Sequence, residues 1–144
     1  MQKITPFLWF NQEAKEAAKF YVSIFPNSKV THADPMMVTF ELDGQKFMAL
    51  NGGPNFKFTE AISLYVTCED QNEVDKLWEK LSAHPENEQC GWLKDKYGLS
   101  WQIIPKQFVE MMSDPDSNKT KRVMEAMLKM KKMDIAALEA AYKG

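Results

Sequence analysis

Two hydrophobic periods take turns along this chain. Residues 4–10 form a short apolar run of strand type. Ala14, Ala17, Ala18, Tyr21, Ile24 and Phe25 then follow at helical spacing, with Asn11 as the expected cap, and Pro26-Asn27-Ser28 stops that helix. A strand is expected near residues 29–32. A hairpin comes next: residues 37–42, the turn Asp43-Gly44, and residues 45–51. Gly52-Gly53-Pro54 reads as a loop.

The pattern then restarts. Residues 62–68 alternate as a strand, and Asp70 with Glu73 makes a capping box. Val74, Leu77, Trp78 and Leu81 repeat the spacing of Ala14, Ala17, Ala18 and Tyr21 at a constant offset of sixty residues. Ala83-His84-Pro85 ends the second helix. Strands around residues 89–93 and 99–104 close this half through the turn Asp95-Lys96-Tyr97-Gly98, with Gly98 placed for positive φ. Each half therefore reads β-α-β-β-β. Past Pro105 the character changes. Asp114-Pro115-Asp116-Ser117 opens a helix to about residue 131 with Val123, Met124, Met127 and Leu128 as its stripe, and Asp134 caps another carrying Ile135, Leu138 and Tyr142.

A length of 144 residues suits one compact domain or two small fused modules, and 44% hydrophobic content supplies a core. The net charge of −2 leaves no excess of Lys and Arg to meet phosphates, which argues against nucleic acid as a partner. The basic run from Lys119 to Lys132 is surrounded by acidic residues and reads as a solvated helix face. Cys68 and Cys90 do not make a secreted disulfide scaffold and read as inert thiols. No apolar run is long enough to span a bilayer, and residues 1–10 lack a signal-peptide pattern, so a soluble cytoplasmic protein without a membrane partner is expected. Eight of the ten methionines fall at Met36, Met37 or from Met111 onward, which gives the tail a deformable apolar surface.

Four segments carry a family resemblance: Ile4-Thr5-Pro6-Phe7-Leu8-Trp9-Phe10, the stretch from Phe20-Tyr21 to Pro26-Asn27-Ser28, Phe47-Met48-Ala49-Leu50-Asn51-Gly52-Gly53-Pro54, and residues 90–105. Together they resemble the PhnB-like branch of the vicinal oxygen chelate superfamily, which contains glyoxalases, bleomycin-resistance proteins and extradiol dioxygenases. The branch is commonly labelled 3-demethylubiquinone-9 3-methyltransferase. The resemblance runs from the first strand into residues 123–142. It implies an α+β fold of two βαβββ modules, residues 1–56 and 57–106, forming a curled mixed sheet around a cleft. A C-terminal helical tail at 107–144 completes it, and the assembly is usually a homodimer.

Metal-dependent members of that superfamily use His, Gln and Glu ligands from four strands lining the cleft. Carried onto this chain, those positions fall nearest Thr5, among Phe47, Ala49 and Asn51, on Ser63, and on Gln102. Threonine, phenylalanine or alanine, and serine are poor ligands for Zn, Ni or Fe, so neither a metal nor another cofactor is expected. His32, in an expected edge strand, and His84, in the loop ending the helix, are expected at the surface. What remains for a cleft is aromatic and weakly polar: Thr5, Phe7, Trp9, Phe47, Asn51, Ser63, Tyr65, Trp92 and Gln102, with Ser63 and Gln102 as orienting groups. Trp101 adjoins Gln102 and must face the other side of its strand. Core packing competes with ligand contact as the role of Trp9 and Trp92.

These positions contain no Asp, Glu, His or Lys, although Glu41, Glu60 and Asp95, at strand or turn ends, can enter from the rim. General acid–base chemistry needs such groups, which favours a metal-independent small-molecule-binding protein. The alternative is an enzyme on a small oxygenated substrate, either a lyase or isomerase or the methyltransferase of the branch label. For the last, Gly52-Gly53-Pro54 follows a strand but precedes no helix pattern that would receive an anion.

Overall fold

The computed structural model describes residues 2–144, which divide into two compact units at Phe58/Thr59. The first holds β1 (Phe7–Phe10), α1 (Ala14–Ile24), β2 (Lys29–Ala33), β3 (Met37–Leu42) and β4 (Gln45–Asn51). Its sheet runs in the order β1-β4-β3-β2, with β1 and β4 parallel and the other pairs antiparallel. Ala14, Ala17, Ala18 and Tyr21 of α1 are fully buried, and three alanines let the helix lie close to the sheet. Tyr21 packs 6.3 Å from Phe40, which stacks on Phe47 at 5.4 Å. Asp43 and Gly44 take φ of 49° and 81°, the double positive φ that a two-residue hairpin turn requires.

The helix starts later than its pattern predicts. Asn11 does not cap it, and Glu13, at the cap position, offers no side-chain bond. The Ala14 N–H instead donates to Asn51 Oδ1 at 2.8 Å. The parallel register Phe10↔Asn51 brings the end of β4 beside the chain leaving β1, so the cap comes from 37 residues away.

The second unit holds β5 (Ser63–Cys68), α2 (Gln71–Leu81), a 3-10 turn at Pro85–Asn87, β6 (Trp92–Lys94) and β7 (Ser100–Pro105), followed by α3 (Lys106–Met112), α4 (Ser117–Leu128) and α5 (Ile135–Lys143). Its sheet order is β5-β7-β6, with β5 parallel to β7 and β6 antiparallel to it. That is the β1-β4-β3 arrangement again, one strand short of the predicted repeat. The 3-10 turn and an isolated bridge, Gln89↔Trp92, occupy the sequence where the first unit has β2. Asp70 caps α2 through the Glu73 N–H at 2.9 Å, while Glu73 Oε1 accepts from Glu69 N–H. Asp95 is fully buried and accepts from Tyr97 N–H, Leu99 N–H and Trp101 Nε1–H, which shapes the β6–β7 turn around Gly98 at φ 86°.

The tail belongs to this second unit. Helix α3, absent from the hydrophobic pattern, starts directly after Pro105. Ile104, Met111, Val123, Met133 and Leu138 make one buried cluster, so part of the methionine surface is used within the chain. Gln71 joins the tail to α2 by donating to Met133 O and accepting from Ile135 N–H. Arg122 donates to Ala141 O and Tyr142 O at the end of α5. Among the described residues no helix is long and apolar enough to cross a membrane.

Candidate ligand site

Alternation along a strand gives each sheet one face toward its helix and one away from it. In the first unit, Leu8, Phe10, Val38, Phe40, Leu42, Phe47 and Ala49 form the buried face. Phe7, Trp9, Met48 and Leu50 lie on the other, with Phe7 beside Met48 and Trp9 beside Leu50. Thr5 precedes β1 and is half-buried. Phe47 therefore does not line an open cleft. It is 6% exposed and stacked on Phe40, because the register Phe40↔Phe47 puts both on the α1 side. Asn51 is also committed to the fold: besides capping α1, its Nδ2 donates to Pro35 O at 3.1 Å. Trp9 is held by its own loop. Its Nε1 donates to Gly53 O at 2.9 Å, and Phe56 meets its ring edge-on at 4.9 Å.

The second unit brings the other predicted residues together. Tyr65, Gln102 and Trp92 form a row across β5, β7 and β6, and Ser63, Ser100 and Lys94 form the next row on the same face. Gln102 Nε2 donates to Ser63 Oγ at 3.0 Å. Behind this face Leu93, Trp101 and Ile103 are buried. Partial burial raises the pKa of the Tyr65 phenol.

Charge reaches this face from two sides: Glu60 enters from the rim, where the sequence allows it, and Lys94, absent from the expected cleft residues, joins it from β6. Lys94 stands on the face, two residues from Trp92, and its Nζ pairs with Glu60. The Lys94 ammonium holds the Glu60 carboxyl below its usual range. A cleft of about 360 Å³ runs along β6 and is lined by Glu60, Cys90, Trp92, Lys94 and Ser100 among others. Ser100 is 1% exposed and its Oγ has no hydrogen-bond partner among the described residues. A hydroxyl left so costs about 1–3 kcal/mol unless something answers it. Extending the Trp92 and Gln102 alternation by one step each would have found Lys94 and Ser100. Asp95 does not reach this face, since its carboxylate is engaged in the turn behind it.

Other candidate groups serve elsewhere. His32 pairs with Asp34 and His84 with Glu86, both at the surface. Burial, helped by Glu73 and Asp70, pushes the Cys68 thiol up to about 12. Among the described residues no three His, Cys, Asp or Glu side chains converge as metal ligands. Ser63 and Gln102 offer a neutral hydroxyl and an amide already bonded to each other, and that donor set does not fit a divalent transition metal.

Residues 2–104 match a family model described as 3-demethylubiquinone-9 3-methyltransferase. Among solved structures, the PhnB protein of Bacillus cereus, described with the same activity, is 38% identical with a TM-score of 0.62, over 72% of this chain and 99% of that one. A Pseudomonas aeruginosa protein is 17% identical with a TM-score of 0.55, over 73% of this chain and 98% of that one. A glyoxylase/bleomycin resistance protein/dioxygenase domain from Frankia is 14% identical with a TM-score of 0.51, over 73% of this chain and 92% of that one. The last two speak to fold alone. No curated protein matches the chain.

Proposed function

The chain belongs to the PhnB-like, 3-demethylubiquinone-9 3-methyltransferase family, and from that premise we propose that it is a metal-independent small-molecule-binding protein whose ligand lies on the open face of the β5-β7-β6 sheet. The observation that carries this is the Tyr65–Gln102–Trp92 row, in which an amide oriented by Ser63 sits between two aromatic rings. Aromatic walls with a few fixed polar groups suit a compact organic ligand. The methyltransferase description has less support from local chemistry. Gly52 and Gly53 serve the packing and hydrogen bonding of Trp9, and the next helix starts only at Gln71.

A fragment library screened by protein-observed ¹H–¹⁵N NMR, with and without a chelator, tests this. Binders that shift the Trp92 indole and Gln102 amide signals are expected, with affinities unchanged by chelation. Binding that disappears with chelator, or stoichiometric Zn, Ni, Fe or Mn surviving dialysis, overturns metal independence. Family likeness and the exposure of Phe7, Met36 and Phe56 also support a homodimer, whose interface would bury more than about 1,000 Å². Light scattering at micromolar concentration tests it, and a monomer mass overturns it. Two unpaired cysteines suit a reducing compartment such as the cytoplasm.

A further inference from the structure

Resting on that reading of the face, we infer that its ligand is a small organic oxyanion, with its charged group on Lys94 Nζ and Ser100 Oγ and its apolar body against Trp92. Three observations lead there. The first is the asymmetry of the ion pair: the Lys94 side chain is 21% exposed and Glu60 is 60% exposed. Lys94 is the inner charge, fixed on a strand, whereas Glu60 belongs to the turn before β5 and reaches in from outside. Glu60 is the solvated end of the pair, so a ligand oxyanion can replace its carboxylate and leave Lys94 paired throughout. Glu60 is the counter-ion that the ligand displaces.

The second observation is Ser100. It is the cross-strand partner of Lys94, is buried, lines the same cleft, and has a hydroxyl with no acceptor among the described residues. An oxyanion that meets Lys94 supplies that acceptor, adding one hydrogen bond beside a charge-assisted one. Glu60 does not do so. The third is Trp92, on the same face of β6 and in the same cleft, which offers the aromatic wall for the rest of the molecule. A neutral ligand would answer Ser100 but leave the ion pair in place. A cationic one would face the ammonium of Lys94.

Benzoate and its neutral isostere benzamide separate these cases when titrated into ¹⁵N-labelled full-length protein, read at the Trp92 indole and the Lys94 and Ser100 amides. Benzoate should bind about tenfold more tightly than benzamide, the worth of one charge-assisted contact. Lys94→Met should erase the preference, Glu60→Gln should tighten benzoate, and Ser100→Ala should weaken benzoate in a protein whose spectrum stays native. Equal binding of both probes at these signals overturns the oxyanion inference while leaving small-molecule binding intact. The oxyanion inference is likewise overturned if Glu60→Gln weakens benzoate or Lys94→Met keeps the preference. If neither probe moves the Trp92 signal up to its solubility limit, both the inference and the placement of the ligand on this face fall.

Discussion

The indole of Trp9 fills the space that a side chain on Gly52 would need: a β-carbon there would lie 2.3 Å from the ring. The ring cannot simply slide away, because its Nε1–H donates to Gly53 O and its edge faces Phe56. Gly52→Ala is therefore expected to destabilise the protein by about 1–3 kcal/mol, the usual cost of overpacking a fitted site. Urea unfolding followed by tryptophan fluorescence measures it. An unchanged midpoint would mean that the Trp9 loop yields freely.

Much of this fold is legible in the sequence because burial follows period. The sixty-residue offset between the helix stripes corresponds to two sheets with the same β-β-β core order, and Asp70, Asp134 and the Asp43-Gly44 turn sit where their chemistry requires. What escapes is set by partners distant in sequence. Asn51 reads as a cleft residue because nothing local says that β4 ends beside the start of α1. Phe47 falls on the wrong face because an apolar strand read without its register has two equivalent settings, and the pairing with Phe40 decides between them. Gln102 against Trp101 is easier, since a half-polar strand has only one sensible orientation.

Asp95 invites a test of the buried β6–β7 turn. Its two oxygens take three N–H donors, from Tyr97, Leu99 and Trp101, with no solvent exposure. Asp95→Ala leaves all three unanswered and should cost about 3 kcal/mol or more, while Asp95→Asn keeps one acceptor and should cost less. Calorimetric melting of the two variants decides the order. If alanine proves no worse than asparagine, the donors have found other partners.

The two cysteines should differ sharply toward alkylating reagents. Cys68 is fully buried with its thiol pushed up to about 12, so at pH 8 it is neutral as well as shielded. Cys90, expected from the sequence to be a buried inert thiol, is instead partly exposed in the β6 cleft. Iodoacetamide at pH 8 should label the native protein at Cys90 alone, and both sites in denaturant, as read by peptide mass spectrometry. Equal labelling of Cys68 in the native protein would show that β5 opens easily.

Gln102 carries the sharpest test of the ligand face. It is half-buried, and its side-chain amide donates to Ser63 Oγ at 3.0 Å. Gln102→Leu nearly conserves volume, and the freed Ser63 hydroxyl is itself only partly buried, so stability should change by less than about 1 kcal/mol. Binding is a different matter. A fragment that hydrogen-bonds the amide would be left with a buried, unpaired polar group and should lose about 1–3 kcal/mol of affinity. A fragment that uses only Tyr65 and Trp92 should lose almost nothing. Isothermal titration of one fragment of each kind, taken from the screen, compares the two. Equal affinity of the polar fragment for both proteins would remove Gln102 from the site. A large fall in melting temperature would make the Ser63–Gln102 bond a fastening of the β5–β7 pair, and the ligand would then have to be sought elsewhere on the sheet.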